Sequence, residues 1–232
     1  MVRLYFAEGL EHSPAGAELK KRAATAQVRW EVLPKERLSA LAAGGVHQGV
    51  VAEVKAFSYA SLEEIIAAAD KSGNPGLVVA LDGVQDPHNL GAIIRSAHAL
   101  GAHGVVLPKD RAAQVTGVVA KSSAGALEHS RIARVVNLSR ALETLKEAGY
   151  WVAAFSADGD TALWDAKLDG KVVLVVGAEG DGVREGVLNH CDFRVKIPMA
   201  GKVDSLNASV AAGLALYEIV RQRALAQKPK LR

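Results

Sequence analysis

The chain holds a single cysteine, Cys191, among its 232 residues. One thiol builds neither a disulfide framework nor a cysteine-cluster metal site, and it reads as a small core residue rather than a nucleophile. No apolar run reaches the roughly 18–20 residues that a membrane helix needs. The opening Met1-Val-Arg-Leu-Tyr-Phe lacks the long apolar core of a secretory signal. The chain therefore reads as cytoplasmic, with no membrane partner. There is no internal repeat and no low-complexity tract. Neither sign of charge dominates: 28 Lys and Arg stand against 25 Asp and Glu, a formal net charge of +3. That balance is compatible with nucleic-acid binding but does not establish it.

What is present is a globular composition. Half of the residues are apolar, and the length suits one large domain or two modest ones. Residues 1–57 read as a small alternating unit: strand 2–7, helix 15–26, strand 28–33, helix 34–43, strand 50–56. That order suggests an α/β sandwich. Residues 58–76 read as a linker with one short helix over 61–70, ending at Gly73-Asn-Pro-Gly76. From 77 to 232 the alternation strengthens. Strands are expected at 77–81, 104–107, 132–136, 150–155, 172–176 and 193–197. Helices are expected at 90–100, 111–121, 138–148, 183–190 and 207–224. Leu77-Val-Val-Ala-Leu81 and Val172-Val-Leu-Val-Val176 are apolar throughout, as strands covered on both faces should be. The class is α/β, with a parallel sheet and helices on both faces.

Three stretches carry candidate chemistry. In the first, the buried strand ends at Asp82-Gly83, a turn follows at Asp86-Pro87, and a helix begins near Asn89. Leu90, Ile93, Ile94, Ala97 and Leu100 make its core stripe, and Arg95 lies off the centre of that stripe. On spacing alone Asn89 is a plain N-cap, Arg95 a solvated charge and His88 an exposed loop residue. The second stretch, Val176-Gly-Ala-Glu-Gly-Asp-Gly-Val-Arg-Glu-Gly186, runs an apolar strand into a glycine-rich turn, where a ligand can approach backbone N–H groups. It is neither the G-x-G-x-x-G dinucleotide fingerprint nor a phosphate loop with a Gly-Lys-Ser/Thr ending. Glu179 and Asp181 are the ionisable side chains inside this turn. The third stretch, Ile197-Pro-Met-Ala-Gly-Lys-Val-Asp-Ser-Leu-Asn-Ala-Ser-Val-Ala-Ala-Gly213, starts as a loop and ends as a helix. Ser205 or Asn207 supplies its N-cap, and Val210, Leu214 and Tyr217 recur at helical spacing. Ala208, Ala211, Ala212 and Ala215 allow close approach to another backbone. No Ser-His-Asp set with a local signature appears, and no His/Asp/Glu spacing suggests a metal.

Together these stretches resemble the SpoU/TrmH family of RNA ribose 2′-O-methyltransferases, part of the SPOUT superfamily. The likeness rests on Asp86-Pro87-x-Asn89-x-Gly91-x-x-x-Arg95, then Gly177-x-Glu179-Gly180-x-Gly182, then Ile197-Pro-Met-x-Gly201-x-x-x-Ser205-Leu-Asn207-x-Ser209. Each motif alone is moderately specific; the three in order, over roughly 76–225, are highly specific. The likeness is strongest to bacterial 23S ribosomal RNA guanosine 2′-O-methyltransferases. His47-Gln-Gly-Val-Val-Ala-Glu-Val54 is similar to the end of their small L30e-like RNA-binding domain. The resemblance implies a deep C-terminal trefoil knot, an exception to the unknotted-chain rule. It implies S-adenosyl-L-methionine as cofactor, held near Gly177, Ile197, Met199 and Leu206 with its methionine end near Asn89. It implies a homodimer and a ribosomal RNA substrate, with transfer RNA as the alternative. Arg95 matches the residue assigned to the ribose hydroxyl, and Asn89, Glu179, Ser205 and Asn207 complete the site. A guanidinium stays protonated and has no acceptor, so Arg95 is expected to stabilise the developing alkoxide and grip phosphate while a phosphate oxygen or water takes the proton.

The sequence departs from the family in two respects. Met1 sits almost on the first strand, where an extra helical segment is usual, so the first domain reads as trimmed at its start. Arg221, Arg223, Lys228, Lys230 and Arg232 form a basic end that reads as a solvated tail. Two other readings stay open. One is a silent RNA-binding module of the same fold, disfavoured by the intact site residues. The other is a nucleotide-dependent enzyme such as a dehydrogenase, disfavoured by the missing fingerprint.

Overall fold

The computed structural model describes residues 2–43, 45–203 and 205–226, which form two compact units, Met1–Phe57 and Ser58–Arg232. The first unit holds β1 (Arg3–Ala7), α1 (Pro14–Thr25), β2 (Arg29–Leu33), α2 (Lys35–Leu41) and β3 (Val50–Glu53). Its sheet order is β2-β1-β3, with β2 parallel and β3 antiparallel to the central strand. Leu4 and Phe6 alternate inward from β1 and pack with Ala23 of α1, the pattern of a strand with one covered face. Ser13 caps α1 by accepting from the Gly16 N–H, and Pro14 presets its first turn.

The second unit comprises α3 (Leu62–Lys71), β4 (Leu77–Asp82), α4 (Pro87–Ala99), β5 (Gly104–Pro108), α5 (Gly117–Ser122), β6 (Ile132–Val135) and α6 (Leu138–Glu147), followed by β7 (Trp151–Phe155), β8 (Thr161–Ala162), β9 (Val172–Gly177), α7 (Glu185–Leu188), β10 (Phe193–Lys196) and α8 (Ala208–Ala226). Seven strands order as β6-β5-β4-β9-β7-β10-β8, every paired neighbour parallel. Every residue of β4, β5 and β9 is buried, which explains why their sequences are apolar apart from the closing Asp82. Leu62, Ile65, Leu142, Leu145 and Val187 join one face of the sheet to α3, α6 and α7. Helix α4 packs against both α5 and α8. No described helix is long and apolar enough to cross a membrane.

Several boundaries differ from the sequence expectation. The short helix expected over 61–70 within the linker 58–76 is α3, and its Leu62, Ile65 and Ala69 enter the core of the second unit. A reciprocal capping box starts this helix: Ser61 Oγ accepts from the Glu64 N–H, and Glu64 Oε2 accepts from the Ser61 N–H. Helix α4 starts at Pro87, because Asp86 rather than Asn89 is its cap. The helix expected over 111–121 forms only at 117–122, after Arg111 takes a left-handed backbone (φ 57°). The expected helix 183–190 is a single turn, and the two-residue strand β8 has no counterpart in the sequence reading.

Helix α8 packs through the small residues expected to allow close approach, and the stripe read from its periodicity faces out. Val210, Leu214 and Tyr217 are 50%, 45% and 60% exposed, while Ala208, Ala211, Ala212, Ala215, Leu216 and Ile219 are buried. The helix uses its small side chains to come close to α4, so the apolar stripe with the larger residues is left facing out. The basic end is also not a simple tail. Arg221 pairs with Glu218, and Arg223 donates to the Gly76 and Gly170 carbonyls at 2.9 and 2.7 Å. Burial lowers the Arg223 pKa from its ordinary value. Lys228, Lys230 and Arg232 lie outside the described residues.

Candidate active site

The chain order places the site. After β4 the strands run outward to β5 and β6; the later strands β7, β9 and β10 fill the other side, with β9 beside β4. This reversal is the topological switch point of an open parallel sheet, where a crevice opens beyond the carboxyl ends of the strands. The β4–β9 ladder runs in register to its last pair, Asp82 with Gly177. The loop leading into α4 and the glycine-rich turn therefore leave the sheet side by side.

That turn folds back on itself. Ala178 and Gly182 exchange two backbone hydrogen bonds of 3.0 Å, and Gly180 and Gly182 take positive φ. A Cβ on Gly177 would stand 2.1 Å from the Gly182 carbonyl carbon, so this return is open only to glycine. Glu179 stands at the tip. Its Oε1 accepts from Asn89 Nδ2 at 3.0 Å, Asn207 Nδ2 at 2.6 Å and the Ala208 N–H at 3.3 Å. Asn207 Nδ2 also donates to Asn89 Oδ1 at 2.9 Å. Asn89, Glu179 and Asn207 thus close a triangle from three distant parts of the chain. The far side of the Asn207 amide is used as well: its Oδ1 accepts from the Ser209 N–H at 3.0 Å and Ser209 Oγ at 2.6 Å, capping α8. Asn89 is buried within the first turn of α4.

The other expected site residues are placed differently. Arg95 is exposed on α4 and has no hydrogen bond or ion pair with a described residue. Ser205 is exposed and stands outside the triangle. Gly177 is buried, Ile197 and Leu206 are half-buried, and Met199 is exposed. Beyond Lys196 the chain leaves the sheet, and residues 197–203 run as irregular loop and bend. Their backbone N–H and C=O groups have no ladder partner among the described residues, and Ile197, Met199 and Leu206 add apolar side chains. Main-chain polar groups outside the sheet, beside apolar side chains, are chemically suited to a nucleoside-bearing cofactor.

Sequence reasoning missed one ion pair beneath the turn. Asp82, at the end of β4, is fully buried at its side chain. Its Oδ2 accepts from the Arg184 N–H at 2.8 Å, and its Oδ1 accepts from Arg184 Nε at 2.9 Å and from Nη2. The carboxylate raises the Arg184 pKa above its ordinary value. The pair fastens the end of the 178–184 segment to the floor of the crevice. The signal available was a lone acid closing an otherwise wholly apolar strand, which calls for a buried partner. Cys191 behaves as expected of a structural thiol: its Sγ donates to the Val187 carbonyl, and burial pushes its pKa up to about 12. His88 is exposed, as its place beside Pro87 suggests.

Comparison with known proteins agrees with this geometry. Residues 76–217 match the model of the SpoU rRNA Methylase family, and residues 1–60 match that of RNA 2′-O ribose methyltransferase substrate binding. A Bacillus subtilis (strain 168) protein named for the TrmH family of tRNA/rRNA methyltransferases is 47% identical over 193 residues, covering 83% of this chain and 77% of the relative. The 23S rRNA (guanosine-2′-O-)-methyltransferase RlmB of Yersinia pestis is 44% identical over 195 residues, covering 84% and 79%. Among solved structures, the SpoU methyltransferase AviRb from Streptomyces viridochromogenes in complex with its cofactor AdoMet superposes with a TM-score of 0.77 at 29% identity, covering 96% of this chain and 83% of that one. The family match takes in all three motifs and well over half of the residues: this chain belongs to the SpoU rRNA Methylase family.

Proposed function

We propose that this SpoU/TrmH-family RNA 2′-O-methyltransferase acts on a guanosine of 23S ribosomal RNA, with S-adenosyl-L-methionine as methyl donor. The observation that carries the reading is the triangle of Asn89, Glu179 and Asn207, which gathers the three motifs at the switch point. The guanosine and 23S assignments follow the likeness to RlmB. The Bacillus subtilis relative is named for both tRNA and rRNA, which keeps transfer RNA as the second reading.

S-adenosyl-L-methionine, when bound, supplies an electrophilic methyl group. The chain's own part is positioning and charge. Backbone groups at Gly177, Ile197 and Leu206, with the Met199 side chain and the Asn89 amide, would hold the cofactor. Glu179 Oε1 is committed to three N–H donors, so this oxygen fastens the site together rather than collecting a proton. Arg95 has no hydrogen bond or ion pair with a described residue, so its charge is available to RNA. Its guanidinium stabilises charge developing on the 2′-oxygen and binds the adjoining phosphate, while a phosphate oxygen or water accepts the proton. Ser205 orients the ribose from the rim. The reading extends to the trefoil knot: α8 follows β10 yet packs on α4, with β9 and β7 standing between β4 and β10 in the sheet. It extends to a homodimer, supported by the outward stripe Val210, Leu214 and Tyr217, and to a cytoplasmic setting.

The test is transfer of labelled methyl from S-adenosyl-L-methionine to protein-free 23S ribosomal RNA and to bulk transfer RNA. Expected is one alkali-resistant guanosine position in 23S RNA, lost in Arg95→Ala. Label on transfer RNA alone overturns the substrate and keeps the chemistry. Near-normal turnover in Arg95→Lys overturns the role given to the planar guanidinium.

A further inference from the structure

A second concavity opens on the same carboxyl edge of the sheet, outside the amide triangle. It encloses about 380 Å³ between the ends of β5 and β6, the first turn of α6 and the start of α7. That volume lies low in the range of small-molecule sites, about 300–1,000 Å³. We propose that it is a subsite for one nucleotide of the RNA strand flanking the methylated residue. The proposal deepens the RNA reading above and rests on it.

The walls carry what a nucleotide needs. Arg111 lines the cavity and has no ion pair with a described residue, so its charge is available to a phosphate. Its backbone is left-handed (φ 57°), a conformation that a non-glycine residue keeps only where its surroundings hold it. They do so on both sides: the Ala113 N–H donates to the Val84 carbonyl at 2.9 Å, and Gln114 Nε2 donates to the Lys109 carbonyl while its Oε1 accepts from Arg134. Val136 lines the same space and is 84% exposed, an apolar surface at the mouth against which a base can lie. Asp110 is the one carboxylate of the lining. It repels a bare anion but accepts from the amino group of a base or from a ribose hydroxyl. The cavity therefore favours a nucleoside with its phosphate toward Arg111 over a free inorganic anion.

Arg184 ties this space to the site. It lines the cavity, while Asp82 beneath holds its guanidinium. It is five residues from Glu179, so the two places are separated by at most about 18 Å of chain. One RNA strand laid along the strand ends meets both.

The experiment uses the full chain with Arg111→Ala and Val136→Asp. Arg111 and Val136 are exposed, so both variants are expected to fold. Binding of protein-free 23S ribosomal RNA is measured across a salt series, S-adenosyl-L-methionine binding by calorimetry, and methyl transfer by label. Expected are about tenfold weaker RNA binding in each variant and a raised KM with kcat retained. The logarithmic salt slope should fall by about one in Arg111→Ala alone. Cofactor affinity should be unchanged. Wild-type RNA affinity and slope in both variants, alongside normal transfer, overturn the subsite and leave the function standing. A wild-type chain that neither binds RNA nor transfers methyl to it overturns the function and the subsite together. Tight binding of 5′-GMP to wild type, lost in Arg111→Ala while RNA binding stays intact, makes this a free-nucleotide site and overturns the RNA assignment.

Discussion

Deleting the Arg184 side chain is expected to cost the fold more than deleting the carboxylate it neutralises. The two side chains differ in their access to water: that of Arg184 is 47% exposed and that of Asp82 is 0% exposed. In Arg184→Ala, the Asp82 carboxylate stays buried with only the backbone N–H of residue 184 to bind it. Removing one partner of a buried pair in this way costs about 3–5 kcal/mol. In Asp82→Ala, the guanidinium left behind can turn to solvent, and the loss is that of charge-assisted hydrogen bonds, about 1.5–3 kcal/mol. The double variant removes the stranded charge and should be more stable than Arg184→Ala alone. Urea melts in a Trp30→Phe background read this directly, since the remaining tryptophans, Trp151 and Trp164, both lie in the second unit. In thermal melts the Arg184→Ala deficit corresponds to roughly 6–20 °C, at about 2–4 °C per kcal/mol for a unit of this size. Equal costs for the two single variants, or a strictly additive double variant, would refute the reasoning from burial.

His103 Nδ1 accepts from the Leu77 N–H at 3.0 Å, and burial lowers its pKa, so the folded state holds the neutral ring. Stability from this group is complete above the unfolded pKa of about 6.5 and is lost as pH falls below it; the urea midpoint of His103→Gln should lack that part of the acid slope. Gly91→Ala should destabilise by about 1–3 kcal/mol in urea melts, because the new Cβ meets Ser122 Oγ at 1.8 Å and the Val119 carbonyl oxygen at 2.9 Å. Half-buried Cys191, with its pKa pushed up to about 12, should react with a thiol reagent at pH 8 far more slowly in the folded chain than in urea; equal rates would contradict its reading as a structural thiol.

The apolar strands were legible because burial on both faces leaves no room for polar residues, and β4 and β9 follow that rule along their whole apolar runs. The three motifs were legible as well, since glycine at 177 and an amide at 207 answer local needs of turn and cap. Helix orientation was legible in part: periodicity alone does not rank the stripes of α8, but the small Ala208, Ala211, Ala212 and Ala215 mark the face that comes close to α4, leaving Val210, Leu214 and Tyr217 outside. Nor could spacing show that Asp86 caps α4 and frees the Asn89 amide for Glu179 and Asn207. The Asp82–Arg184 pair spans 102 residues, and no local pattern announces a contact that distant.

The amide triangle also sets a timetable. Its hydrogen bonds join residues 28, 90 and 118 positions apart, whereas the caps and turns around it close within a few residues. Contacts of such long range are costly in chain entropy and are made late, after local structure is in place. Helices and strand pairs can therefore be present in a refolding chain that has no site at all. Because one Asn207 amide serves both the first turn of α8 and the triangle, docking of that helix and completion of the site are a single event. Recovered activity should thus lag the return of helical signal, and it marks the moment when the two ends of the second unit's chain have found each other.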